Sequence, residues 1–230
     1  MGVLQSSHIK EERDQPIVEV TNHFSSATFS CKYLPAKLSL FAIESKAYGV
    51  NFRYAEELSQ AESMACFKLV ELTSAAAYKS SSRGWKPKAK EQEMSDKDMR
   101  YLLVQQDNLL QNEGAQASDD KASDKAVVEG FLSFMITEED DYEVLYIYEI
   151  HLGPCLRKHG IGRKLMHYAE EIASKVGLEK VMLTVFTSNE AAESFYRKIG
   201  YTDDEYSPAP KILRNGVVKR PDYIIMSKAV

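Results

Sequence analysis

From Val144 to Leu152 the chain alternates. Leu145, Ile147 and Glu149 fall on one side and Tyr146, Tyr148 and Ile150 on the other, and the β-branched and aromatic content predicts a strand. Gly153 and Pro154 stop the pairing. The period then changes. Ile161, Leu165, Ala169, Ile172 and Val176 recur at helical spacing, with Arg163, Lys164, Glu170, Glu171 and Lys175 off that stripe, which predicts an amphipathic helix. Between the two lies Arg157-Lys-His-Gly-Ile-Gly162, a basic turn with two glycines one residue apart. Strand, glycine turn and helix together make an anion site. The free N–H groups and dipole at the helix start favour phosphate oxygens, and glycine lets a phosphate approach the backbone.

The rest of the chain follows the same reasoning. Residues up to His23 are polar and charged and are expected to be loosely held. A short helix is expected after Pro35, with Leu38, Leu40, Phe41 and Ile43 as its apolar side, and a first strand from Tyr48 to Tyr54. From Ser59 to Tyr78 the pattern predicts a long helix, capped by Ser59 or Ser63, with Met64, Phe67, Leu69, Val70 and Leu72 on its buried side. Lys79 to Gln92 reads as a polar connector, and Ser95-Asp-Lys-Asp98 as a turn or short capped helix. Strands are expected at Tyr101–Gln106 and Val127–Thr137, the latter with a bend at Gly130, joined to the central strand by an acidic hairpin turn, Glu138 to Tyr142. Residues 107 to 125, rich in Asn, Gln, Ser, Asp and Ala, are expected to form a flexible insertion. Lys180–Phe186 is apolar on both faces and predicts an interior strand. A helix follows from Asn189 to Ile199, capped near Ser188 and ended by Gly200, and Tyr223–Ser227 closes the sheet. The class is a mixed sheet flanked by helices, α/β or α+β.

At 230 residues the chain can bury a full core. A net charge of −5 gives no reason to expect a nucleic-acid partner and tolerates a basic one. The three cysteines, Cys31, Cys66 and Cys155, are widely spaced and suggest neither a zinc site nor a disulfide framework. No apolar run reaches membrane-spanning length. Met1-Gly-Val-Leu-Gln-Ser6 fits the short myristoylation pattern, which is read here as a chance match; a single acyl chain would in any case bind membranes only marginally.

Gly160-Ile-Gly162 is not a dinucleotide fingerprint, because Leu165 stands where the third glycine would be. With Arg157 three residues ahead, the Arg-x-x-Gly-x-Gly turn after a strand resembles the pyrophosphate loop of the GNAT acetyltransferases, and Asn189 to Tyr201 resembles their closing helix and turn. The resemblance spans residues 48 to 228. It implies a twisted, mostly antiparallel sheet of about seven strands with a bulge on the central strand. It also implies a domain at 35–230 behind a partly flexible extension at 1–34, and acetyl-coenzyme A as donor without a metal. Gly84-Trp-Lys86 with Glu93-Met94, then Glu143 to Glu149 and Lys180 to Phe186 with Asn189, resemble NatD, a family that acetylates the α-amine of histone four and histone two-A tails beginning Ser-Gly-Arg-Gly. This chain departs from that pattern at Arg83, at Thr137 and in its long insertion.

An α-amine with a pKa of about 8 must lose a proton before it attacks a thioester. Glu149 is the candidate base, with burial beside Tyr146 and Tyr148 expected to raise its pKa; on pattern alone it is equally a strand glutamate facing solvent. Neighbouring strand residues point to opposite faces, so Tyr148 and Glu149 meet in one site only if pairing is irregular near Glu149 to Leu152. Amides from Ile150, His151 and Leu152 are then candidates for the pantetheine arm and the thioester oxygen. Arg157, Lys158, His159, Gly160, Ile161, Gly162 and Arg163 are candidates for the pyrophosphate, and Asn189 for the pantetheine amides or as an ordinary cap. Tyr196 and Tyr148 compete as the acid, and Tyr196 is equally a core aromatic.

For the acceptor, the resemblance points to Tyr78, Trp85, Thr137, Glu138, Glu139, Tyr146, Tyr148, Thr184, Tyr206 and Tyr223. A carboxylate from Glu138 or Glu139 suits the arginine of Ser-Gly-Arg-Gly, although such an acidic run is also an ordinary solvated turn. The implied partner is a histone tail, met by a monomer in nucleus and cytoplasm, with no stable membrane association. Acetylation of lysine side chains or small amines, and a coenzyme-A-binding module without turnover, are the competing readings.

Overall fold

The computed structural model describes residues 16–35, 38, 41–107, 127–212 and 214–230. In chain order these form α1 (Ile17–Asn22), α2 (Ser26–Tyr33), β1 (Phe41–Ile43), β2 (Lys46–Tyr54), α3 (Gln60–Ser80), α4 (Pro87–Met94), β3 (Arg100–Asp107), β4 (Val128–Glu139) and β5 (Tyr142–Leu152). Then come α5 (Ile161–Val176), β6 (Lys180–Phe186), α6 (Glu190–Lys198), β7 (Thr202–Asp203), β8 (Lys211–Ile212), β9 (Val218–Lys219) and β10 (Tyr223–Ala229). One sheet of eight strands has the order β1-β2-β3-β4-β5-β6-β10-β7, and β8 and β9 make a separate hairpin.

Every neighbouring pair in the large sheet is antiparallel except β5 and β6. The exception follows from connection length. β4 and β5 are joined by Asp140 and Asp141 alone, both at positive φ, the backbone of a two-residue hairpin that aspartate tolerates. Parallel strands need a crossover, and α5 supplies it. Its predicted stripe is real: Ile161, Leu165, Ala169, Ile172 and Val176 are all buried against one face of the sheet, in a cluster with Leu145, Ile147 and Leu183. Gly177 ends it in the left-handed conformation. On the other face α3 and α4 cover a second cluster of Cys66, Val70, Met94, Met99, Tyr101, Leu103 and Phe131.

Several expectations need correcting. Of the residues expected in a helix after Pro35, Phe41 and Ile43 pair instead in β1, and Leu40 lies outside the described residues. Helices form earlier instead. Ser25 caps α2 by accepting from the Thr28 amide, and Phe29 is fully buried in the main core, so the chain before residue 34 is packed rather than loose from Ile17 onward. In α3, Ser59 and Glu62 form the reciprocal capping box, but Met64 and Leu72 are 49% and 71% exposed. Cys66, Val70 and Ala75 carry the burial, because only residues near helical spacing share the face that meets the sheet. Within the expected connector, Pro87 starts α4, as proline suits a first helical position. Asn189, not Ser188, caps α6. The bend at Gly130 coincides with a register shift that leaves Glu129 as an extra residue in β4, and a Cβ there would sit 2.7 Å from Leu152 Cδ2. The insertion expected after Asp107 and the pattern at Met1–Ser6 lie outside the described residues.

Arg100 fastens the N-terminal helices. It is fully buried; one terminal nitrogen donates to the Thr21 carbonyl at 3.2 Å and to Asn22 Oδ1 at 2.9 Å. Its guanidinium lies 4.8 Å from the Phe29 ring centroid and 4.9 Å from that of Tyr54. Arg100→Ala is expected to cost about 3 kcal/mol, from the lost charge-assisted hydrogen bonds and ring contacts. Urea denaturation checks the loss, and amide exchange across residues 17–33 is expected to rise first.

Candidate active site

The site begins with a count of residues. Ser133 pairs with Glu149 and the next residue, Phe134, pairs with Ile147, so Tyr148 is an extra residue in β5. The alternation slips by one there. Leu145, Ile147, Ile150 and Leu152 face the α5 side of the sheet. Tyr148 packs on the α3–α4 side, and Glu149 and His151 also reach that side, where they bond to Lys90 and Thr73. The irregularity expected near Glu149 therefore falls at Tyr148, and it puts tyrosine and glutamate on one face. On the other edge, β5 pairs with β6 only from Val144 to Ile147. Beyond that point the two parallel strands part and open a cleft of about 790 Å³.

At its centre Glu149 is buried and fully engaged. Oε1 accepts from Lys90 Nζ at 2.8 Å and from the Tyr78 hydroxyl at 3.1 Å, while Oε2 lies 2.6 Å from His151 Nε2. Burial alone would push this carboxyl up. The hydrogen bond and charge of His151, joined by the charge and hydrogen bond of Lys90, outweigh burial and bring it down to about 2. The upward shift expected from the sequence is thus reversed, because Lys90 reaches the carboxyl from α4 and the His151 ring meets its other oxygen. Burial would lower Lys90, but Glu149, Tyr78 and Glu93 hold it above the ordinary lysine value. Burial, then the Glu149 charge, pushes Tyr78 up to about 12. Tyr148 and Tyr196 are also raised by burial, so both keep their protons near neutrality.

The donor side of the cleft is basic. Arg157, Lys158, Gly160, Ile161, Gly162 and Arg163 line it, with Ile150, His151 and Leu152 on the strand side. Lys158 and Gly160 take left-handed backbone at φ 66° and 78°, and no side chain caps the start of α5. Its first amides are therefore open to an anion. Arg157 Nε donates to the Leu152 carbonyl at 2.9 Å, pinning the turn to the end of β5. His159 is exposed and does not line the cleft. Asn189 lines the cleft and is the cap of α6, its Oδ1 accepting from the Ala192 amide.

The residues expected to meet the acceptor divide. Tyr78, Tyr148 and Thr184 line the cleft, as does Tyr196. Tyr146 stands behind them, hydrogen-bonded to Thr184 and with its ring 5.3 Å from that of Tyr148. Trp85 backs Tyr78 at 5.6 Å and stacks on Phe67. Thr137, Glu138 and Glu139, the last residues of β4, do not line the cleft, and of the three only the Glu139 charge reaches Tyr146 and Tyr148. Tyr206 stands apart, packed with Tyr142 and Lys180. Tyr223 lies under the Arg83 guanidinium at 5.1 Å. Beside it the Asp222 carboxylate accepts from the Ser82 amide, so the α3–α4 loop is tied to the start of β10.

Lys90, Thr73, Asp222 and the side chain of His151 were not foreseen as parts of the site. Pro87 was the one available signal for α4, and nothing in the sequence aims Lys90 at Glu149. Among the described residues no group of His, Cys, Asp and Glu is arranged to hold a metal ion, and no helix is long and apolar enough to cross a membrane.

Comparison with known proteins agrees with this architecture. Over 105 residues the chain is 34% identical to N-alpha-acetyltransferase 40 of Saccharomyces cerevisiae, covering 38% of this chain and 37% of that one. Over 70 residues it is 37% identical to an uncharacterized N-acetyltransferase of Methanocaldococcus jannaschii, covering 30% and 31%. The chain thus matches about a third of the length of these curated relatives. A GNAT-family acetyltransferase from Listeria monocytogenes, 11% identical, shares the fold with a TM-score of 0.51 over 84% of this chain and 100% of that one. The acetyltransferase (GNAT) profile matches residues 75–201, which run from α3 through the bulged strand, the glycine turn and α6, and the chain belongs to that family.

Proposed function

We propose that this protein transfers an acetyl group from acetyl-coenzyme A to the N-terminal α-amine of a polypeptide, in the manner of NatD. The acceptors would be histone four and histone two-A tails beginning Ser-Gly-Arg-Gly, met in nucleus and cytoplasm. The observation that carries the reading is the bulge at Tyr148, which faces Tyr148 and Glu149 into the cleft that the basic turn opens at its other end. The name of the yeast relative supports α-amine chemistry. The Glu139 carboxylate, whose charge reaches Tyr148 in the cleft, supports a basic acceptor.

The cleft fits the donor. The open amides of α5 with Arg157, Lys158 and Arg163 suit a pyrophosphate, and the unpaired edge of β5 at Ile150 to Leu152 suits an amide-bearing arm. When bound, acetyl-coenzyme A supplies the thioester carbonyl. Glu149 draws the incoming ammonium, which must release one proton to solvent before its lone pair can attack the carbonyl. Held too low to take that first proton, Glu149 takes the second, directly or through water, as the nitrogen bonds to carbon and its remaining N–H becomes acidic. Tyr148 and Tyr196, both still protonated, are the groups able to give a proton to the departing sulfur.

Acetylation of a Ser-Gly-Arg-Gly-Lys peptide is expected to stop when its α-amine is blocked beforehand. Mass spectrometry locating the acetyl group checks this, and equal modification of the blocked peptide on lysine would refute the reading. Glu149→Gln is expected to lower kcat about a hundredfold with donor binding little changed. The same variant tests the electrostatics of the fold. A carboxyl held below its unfolded value stabilises the protein above that value, and the contribution disappears as pH falls toward about 2. Wild type should therefore lose more stability than Glu149→Gln between pH 5 and pH 2.5, measured by denaturant unfolding.

A further inference from the structure

His151 lies two residues after Glu149 on β5 and, like it, is buried. Its two ring nitrogens are both engaged. Nε2 faces Glu149 Oε2 at 2.6 Å, and Nδ1 meets Thr73 Oγ1, which also lies 2.7 Å from the Leu69 carbonyl. That second distance gives the threonine hydroxyl two settings. With an imidazolium, Nδ1–H donates to Oγ1 and the hydroxyl donates to Leu69. With a neutral ring, the hydroxyl turns and donates to Nδ1. The Nε2–H bond to Glu149 survives in both, so no buried polar atom is orphaned when the ring changes charge.

The neighbourhood makes that charge count. Lys90 and Glu93 face the pair from α4, Tyr78 from α3, Tyr101 from β3 and Tyr196 from α6, while the Phe131 ring of β4 packs on the imidazole at 5.5 Å. With the ring charged, Lys90 and His151 balance Glu149 and Glu93. With the ring neutral, one negative charge is in excess and the carboxylate holds a proton more readily.

We propose that His151 is a positioning residue whose protonation sets the basicity of Glu149, the charged ring restraining the carboxylate and the neutral ring arming it. This deepens the acetyl-transfer reading and rests on it. Thr73 is the second member of the device, since it lets a buried imidazole exist in either form. The consequence is a chemical step whose rise with pH carries the ring's protonation in addition to that of the bound amine.

The test is kcat between pH 6 and pH 8.5 at saturating peptide and acetyl-coenzyme A. Wild type is expected to rise across that range more steeply than a variant whose residue 151 cannot titrate. His151→Gln keeps a donor toward Glu149 but cannot titrate, and its profile should be the shallower one. Thr73→Val leaves the charged ring without its acceptor and should move the rise to lower pH. A His151→Gln profile that keeps the wild-type rise overturns the proposal. Nitrogen-15 shifts of the His151 ring give a readout that needs no turnover. The titration midpoint should fall in Glu149→Gln, and an unchanged midpoint also overturns the proposal. If no peptide is acetylated yet the midpoint falls, the acetyl-transfer reading fails while the coupling of His151 to Glu149 stands.

Discussion

One more residue in β5 than in β4 decides what shares the cleft. In a regular strand Tyr148 and Glu149 would point to opposite faces, one into the α5 core and one toward α3. The bulge places both on the α3–α4 side and leaves Ile147 and Ile150 in the core. The parting of β5 from β6 begins at the same level, because the parallel ladder ends at Ile147. A single irregularity therefore aims the side chains and exposes the strand edge beside them.

The second constraint is electrostatic. A carboxylate with almost no solvent is tolerable only when its oxygens are satisfied, and Lys90, Tyr78 and His151 satisfy those of Glu149. The cation nearest to it sits on α4, the tyrosine on α3 and the histidine on β5 itself, so three elements must be in place before the charge is stable. The same contacts that make the burial possible hold the carboxyl low. Fold stability and basicity are thus opposed at this residue, and a titratable neighbour is one way to let the balance move.

The basic turn and the α3–α4 loop differ in how they are held. The turn is local: strand, turn and helix are consecutive, and left-handed Lys158 and Gly160 bend the chain so that the α5 amides open outward. The α3–α4 loop is held by distant segments, with Ser82 bonded to Asp222 and Arg83 over Tyr223. Arg83 is one of the positions at which this chain departs from the NatD pattern, and here it packs on a tyrosine beside the tie.

Local periodicity fixed much of what is seen. The strand from Val144, the stripe from Ile161 to Val176, the apolar run of Lys180–Phe186 and the glycine turn each depend on residues within a few positions of one another, and each element forms, although the strand's alternation holds only as far as the bulge at Tyr148. Failures came where a pattern was short or its face ambiguous, as at Phe41–Ile43 and in the choice of Met64 and Leu72 for the core. The chemistry at Glu149 was legible only as a residue type in a strand. Its partners lie 59, 71 and two residues away in sequence, and Thr73 is 78 residues from the ring it meets. Only the docking of α3 and α4 across the sheet brings those groups together. A pKa depends on the charges within a few ångströms, so tertiary structure alone settled that burial would not raise Glu149.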